Sequence, residues 1–146
     1  PFAAALVGYA LVVPFLFGAA TEILMTPEQQ AAHPLTELFL GYGLLIDYSA
    51  VVLILLSGTL WGFASRAERQ NLGDHLLAVM PAAYAFFVWG VQDLTALFAA
   101  LAFGYGAALM IDLHFTRMTL APAWWFRLQL TVKLAIVAAL MVALTI

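Results

Sequence analysis

Cysteine is absent from the chain, which removes disulfides, thiolate nucleophiles, iron–sulfur ligation and soft-metal thiolate sites. Charge is nearly as scarce: Asp, Glu, Lys and Arg make up 9% of the residues, against roughly a quarter in a soluble domain. The 5 basic residues are scattered and the formal net charge is -3, a balance that excludes a nucleic-acid partner. Low-complexity tracts, linkers and solenoid repeats are also missing.

What is abundant is apolar sequence. Of 146 residues 66% are hydrophobic, the mean hydropathy is +1.04, and apolar runs of membrane-crossing length follow one another. The fold class expected is all-α: an integral membrane bundle of five transmembrane helices forming a single domain over residues 1–146. The spans fall at about 2–25, 38–63, 75–91, 94–111 and 128–146, the second of them long enough to cross roughly 30 Å of hydrocarbon at about 1.5 Å per residue. The first run is longer than the apolar region of a signal peptide. Pro1 in place of Met leads to the expectation that the natural N-terminus precedes this numbering. Pro14 and Pro81 sit inside spans one and three, where each removes a backbone donor and loosens the helix. The Thr26–Pro34 stretch, with two prolines and no apolar period, reads as a loop.

Orientation follows from the arginines. Arg66 and Arg69 lie between spans two and three, and Arg117 and Arg127 between spans four and five, so five-span parity collects all of them on one side. By the positive-inside rule that side is cytoplasmic, or matrix in an organelle. The N-terminus is then inside and the C-terminus outside. Small residues repeat every fourth position at Ala100, Gly104 and Ala108 and at Ala135, Ala139 and Ala143, which suits close helix packing in lipid.

Two ionisable residues inside spans are the chemical candidates. Asp47 lies about 16 residues, or roughly 24 Å, from the inner end of span two, in the outer half of the hydrocarbon layer, where a charge is costly and marks a site or a paired group. Two readings stand: a proton or ligand site, or a structural polar group that is neutral and bonded to the Tyr48 or Tyr9 hydroxyl, opens to an outer pocket, or meets another subunit. Lys133 sits about six residues, or roughly 9 Å, inside the inner boundary. It is too far from Asp47 to pair but within reach of Asp112, so an Asp112–Lys133 pair is expected.

Other chemistry is weaker. His33 lies in the outer loop and His75 and His114 at the inner boundary, which argues against bis-histidine haem ligation. Glu-x-x-His spacing for a carboxylate-bridged metal site does not occur, so no catalytic, cofactor-binding or metal-binding residue is assigned. Trp61, Trp89, Trp124 and Trp125 fall near span ends and read as interfacial anchors.

Several segments together carry a family resemblance: Gly8 to Pro14-Phe15 in span one, Tyr48 to Gly62 in span two with Tyr48, Ala50, Gly58, Trp61 and Gly62, and Val79-Met80-Pro81-Ala82 in span three. Asp112, Arg117 and the Pro122-Ala123-Trp124-Trp125 turn follow, then Leu128 and Thr131. In order and spacing the chain resembles the uncharacterised membrane proteins of domain of unknown function 3429, the family that includes transmembrane protein 69. Ser49 and Ser57 stand where glycines are usual, and Asp47 lies outside the pattern. The resemblance implies five helices in a bacterial or mitochondrial inner membrane and no established activity. The expected function is therefore that of a non-enzymatic accessory, structural or assembly subunit of a larger inner-membrane complex, respiratory or photosynthetic, with membrane lipids and other membrane subunits as partners. The alternative is a small transporter or a lipid- or quinone-binding protein with a pocket near Asp47.

Overall fold

A computed structural model describes residues 2–34 and 39–145, and among them every regular element is helical. In chain order the helices are α1 (Phe2–Ala10), α2 (Val13–Leu24), α3 (Pro27–Ala32), α4 (Gly41–Ser65), α5 (Leu72–Val88), α6 (Leu94–Arg117) and α7 (Trp125–Leu144). Among the described residues four stretches are long and apolar enough to cross a membrane: Phe2–Leu24, Gly41–Ser65, Leu94–Arg117 and Trp125–Leu144. At 17 residues α5 is shorter, about 25 Å long.

The first membrane-length stretch is α1 and α2 joined through a turn at Leu11 and Val12. Pro14 explains the break: it falls in the first turn of α2, where its fixed φ suits a helix start, but its missing N–H leaves the preceding turn open. Pro81, by contrast, is accommodated inside α5. Ser57 on α4 crosses to α5 and donates to the Ala78 carbonyl at 2.5 Å, beside the Leu77 carbonyl that Pro81 leaves without its amide.

The expected loop after the first span contains a helix instead. Thr26 accepts from the Gln29 amide and Gln29 answers to the Thr26 amide, a capping box with Pro27 at the first helical position. This start signal stands in the sequence, but the run of polar residues masks it. Likewise α6 continues six residues beyond the expected end at 111, through Asp112 and His114 to Arg117. Polarity there interrupts the apolar run without ending the helix. The start of span two at Leu38 lies outside the described residues.

Helix α4 is the hub, packing on α2, α5 and α6, while α7 packs on α6, α2 and α1. Phe15, Leu45, Leu53, Leu60, Tyr105, Ile136 and Leu140 form the buried centre. The small-residue repeats face other helices. A Cβ on Gly104 would stand 2.5 Å from the Tyr84 ring, whose hydroxyl donates to the Ala100 carbonyl at 2.9 Å. Tyr42 on α4 donates to the Ala143 carbonyl of α7 at 3.1 Å.

The two ends of the bundle are distinguishable. His114 near the end of α6 meets Asp74 at the start of α5 at 3.4 Å, and a single cavity touches both the α4–α5 and the α6–α7 connections. Helix α5 thus starts at the end where α4 and α6 finish, and Tyr84, toward its other end, bonds the Ala100 carbonyl in the second turn of α6. Phe2 and Ala5 share a groove with Trp124 and Arg127, which puts the start of α1 at the same end as the four arginines.

Candidate functional site

Among the described residues Asp112 and Lys133 are the two buried charged side chains, at 0% and 1% exposure. Helix α6 carries Asp112 to within five positions of its end, and α7 returns antiparallel, so that Lys133 comes level with it two turns in from Trp125. The Lys133 ammonium donates to Asp112 Oδ2. Trp125 Nε1 donates to Asp112 Oδ1 at 2.9 Å, giving each carboxylate oxygen its own donor. The lysine points into the bundle and not to the surface, because a carboxylate within reach replaces the water it would otherwise seek.

The connection between the helices is shaped to make this possible. Leu120 and Ala121 amides both bond back to the Phe115 carbonyl, at 2.9 and 3.1 Å, and the Thr119 amide to Thr116. This is a Schellman closure in which Thr119 occupies the left-handed position usually given to glycine, with φ 58. The Trp125 amide then bonds Pro122 O at 2.9 Å and α7 begins. Phe63 from α4 meets the Trp125 ring edge-on at 5.0 Å, so the indole is 7% exposed. This corrects the expectation of an interfacial anchor at Trp125: the ring is interior because its N–H has a buried acceptor.

One turn along each helix from this cluster, Thr116 Oγ1 and Gln129 Oε1 are buried without a hydrogen-bond partner among the described residues. The interior face of α7 is thus polar at Trp125, Gln129 and Lys133. Chemically the Asp112–Lys133–Trp125 cluster pairs its charges: the ammonium and the indole N–H both donate to the carboxylate. It holds α6 against α7.

The remaining expected residues disperse. Asp47 is half-buried on α4, and among the described residues it makes no hydrogen bond or ion pair. The Tyr9 hydroxyl pairs with Thr131 at 3.3 Å, and the Tyr48 ring packs on Phe15 at 5.1 Å, so neither tyrosine serves Asp47. The main cavities lie elsewhere and Asp47 lines none of them. Gly58 and Gly62 have nothing within 4 Å of where a Cβ would stand, and Trp61 beside them is exposed but edge-on to His75 at 5.0 Å. Pro81 is buried, Arg117 is exposed at the end of α6, and Trp124 is half-buried beside Trp125 at 6.2 Å. Among the described residues no group of three or more His, Asp or Glu converges to hold a metal ion.

A second polar cluster, at the opposite end, was not anticipated. The Gly41 amide donates to Thr21 Oγ1 at 2.9 Å and the Tyr42 amide to Glu22 Oε2 at 3.2 Å. Glu22 thereby caps the start of α4, where the helix dipole favours a negative group. Gln30 of α3 reaches the same Glu22 oxygen at 3.4 Å. Gly41 has φ 50, and a Cβ on it would collide with Glu22 and Gln30. A carboxylate in the last turn of an apolar helix was the available signal.

The family model described as "Protein of unknown function (DUF3429)" matches residues 1–145. No curated protein and no solved structure matches the chain.

Proposed function

Because the chain belongs to the family of proteins of unknown function DUF3429, which brings no activity with it, we propose a role from the geometry: a non-enzymatic, five-span membrane protein that works by association. In this reading α5 is span three, completing the five. Its 17 residues meet the lower limit for crossing, with slight local thinning of the bilayer. The arginine-bearing end faces the cytoplasm or matrix, the N-terminus lies on that side, and the C-terminus is outside.

One observation carries the proposal. The buried charges are closed on each other, while the unfilled complementarity faces outward, on the side of α4 where Gly58 and Gly62 lie open beside exposed Val51, Leu55 and Trp61. Two glycines four apart on an exposed membrane face admit the backbone of another helix. We therefore assign the protein as an accessory, structural or assembly subunit of a larger inner-membrane complex, with respiratory or photosynthetic complexes as the class. Its partners are lipids and other membrane subunits.

Purification of the full chain in mild detergent, with identification of copurifying chains, tests this. Stoichiometric recovery with a redox or light-harvesting complex is the expected result. Recovery as an isolated monomer with a bound small molecule contradicts it and favours a carrier or ligand-binding role.

A further inference from the structure

A cavity of about 730 Å³ lies where the α4–α5 and α6–α7 connections meet. Its lining combines apolar Phe63, Met118, Leu120 and Pro122 with charged Arg66, Arg69 and Glu68. The two guanidinium groups outnumber the one carboxylate, and among the described residues neither arginine has an ion-pair partner. Helix ends of this polarity ordinarily repel anions through their free carbonyls. Here the closing turns occupy them: Phe115, Thr116 and His114 carbonyls accept from the amides of 118–121, and Phe63 and Ala64 from Arg66 and Ala67. Of the lining residues, Thr119 holds its left-handed conformation and Phe63 is braced by Trp125 and, through it, by Asp112.

We propose that this cavity is a binding site for the phosphate headgroup of an anionic phospholipid, Arg66 and Arg69 taking the phosphate and the apolar lining of Phe63, Met118 and Leu120 taking the first part of the acyl chains. Arginine suits this role because its planar fork binds phosphate oxygens in pairs. The location suits it as well: the cavity sits at the ends of two membrane-length helices, on the arginine-rich face, where the apposed leaflet is the anionic one. A soluble phosphate ester has no use for the apolar lining, and a zwitterionic lipid brings beside its phosphate a headgroup cation that the two arginines repel. The inference rests on the membrane-spanning reading of the chain.

The test uses the full chain. Retention in the membrane fraction after alkaline carbonate extraction is read first; release overturns the membrane reading, and the lipid site with it. The purified protein is then given phosphatidylglycerol and phosphatidylcholine at equal mole fraction, and retained lipid is measured by native mass spectrometry. One phosphatidylglycerol is expected to be held in preference to phosphatidylcholine by about 25-fold, at roughly fivefold for each arginine. The R66Q/R69Q variant should retain the two lipids alike, R66K/R69K should keep most of the preference, and R117Q, outside the cavity, should keep all of it. Equal retention of both lipids by the unaltered chain, a comparison that needs no variant to fold, overturns the proposal. So does a preference that survives R66Q/R69Q. Displacement of the lipid by millimolar inorganic phosphate assigns the arginines to free phosphate and overturns the lipid assignment.

Discussion

Removal of the Lys133 ammonium should be among the most damaging single changes available in the interior. Lys133 and Asp112 are 1% and 0% exposed, and the aspartate has its two oxygens bonded to Lys133 and Trp125. Lys133→Met keeps the length and apolar stem of the side chain and deletes the charge, leaving a carboxylate with only an indole N–H for company. Breaking a buried pair from one side costs about 3–5 kcal/mol. Asp112→Asn leaves the ammonium unpaired but preserves an acceptor for Trp125, so it should fall at the lower end of that range. The double variant D112N/K133M removes both charges together and should regain most of the loss, because well-packed neutral replacements of buried pairs are near neutral. Trp125→Phe tests the remaining contact and should cost roughly 1.5–3 kcal/mol, the worth of a hydrogen bond to a charged group. Denaturant titration of purified protein in lipid–detergent micelles, followed by tryptophan emission or by helical ellipticity for the Trp125 variant, reads all four. Single variants within about 1 kcal/mol of the parent, or a double variant as unstable as the sum of the singles, would refute the closed-pair account.

Thr119→Gly should stabilise the protein by about 1 kcal/mol, since a β-branched residue is held at φ 58 where glycine carries no steric penalty; an unchanged melting midpoint contradicts this. Gly41→Ala should destabilise by roughly 1–2 kcal/mol from the positive φ alone, and further because Glu22 and Gln30 occupy the space of the new methyl; a melting temperature equal to that of the parent would show that the Glu22 cap is loose. Gly58→Ala and Gly62→Ala meet nothing within 4 Å, so the isolated chain should melt within about 0.5 kcal/mol of the parent. The yield of copurifying subunits should fall, and a yield unaffected by both changes removes α4 from the interface.

How much of this could be read in advance depended on the kind of physical fact involved. The Asp112–Lys133 pairing was legible from depth alone, because rise per residue fixes vertical position in a membrane and the span interiors offered few charges to choose among. The helical class, and the facing of the Gly104 and Ala139 stripes toward other helices, were legible from periodicity. Trp125 was misjudged because a tryptophan near a span end has two stable environments, the interface and a buried acceptor. Only the tertiary position of Asp112 selects between them. The cap of α4 joins Thr21 and Glu22 to residues 20 positions away, a pairing that no local pattern carries. The box at Thr26 and Gln29 was present in the sequence and overlooked beside two prolines. Asp47 drew the strongest expectation, and the fold brings neither expected tyrosine hydroxyl to it.

The orientation and the interfacial position of the lipid cavity both depend on α5 crossing the membrane. The natural absence of cysteine makes this directly measurable. Gln70→Cys, in the α4–α5 connection, and Gln92→Cys, between α5 and α6, can each be labelled with a membrane-impermeant thiol reagent in intact and in inverted vesicles. Labelling of the two positions from opposite sides, with Gln70→Cys on the cytoplasmic or matrix face, is the expected result. Labelling of both from the same side would contradict the five-span account.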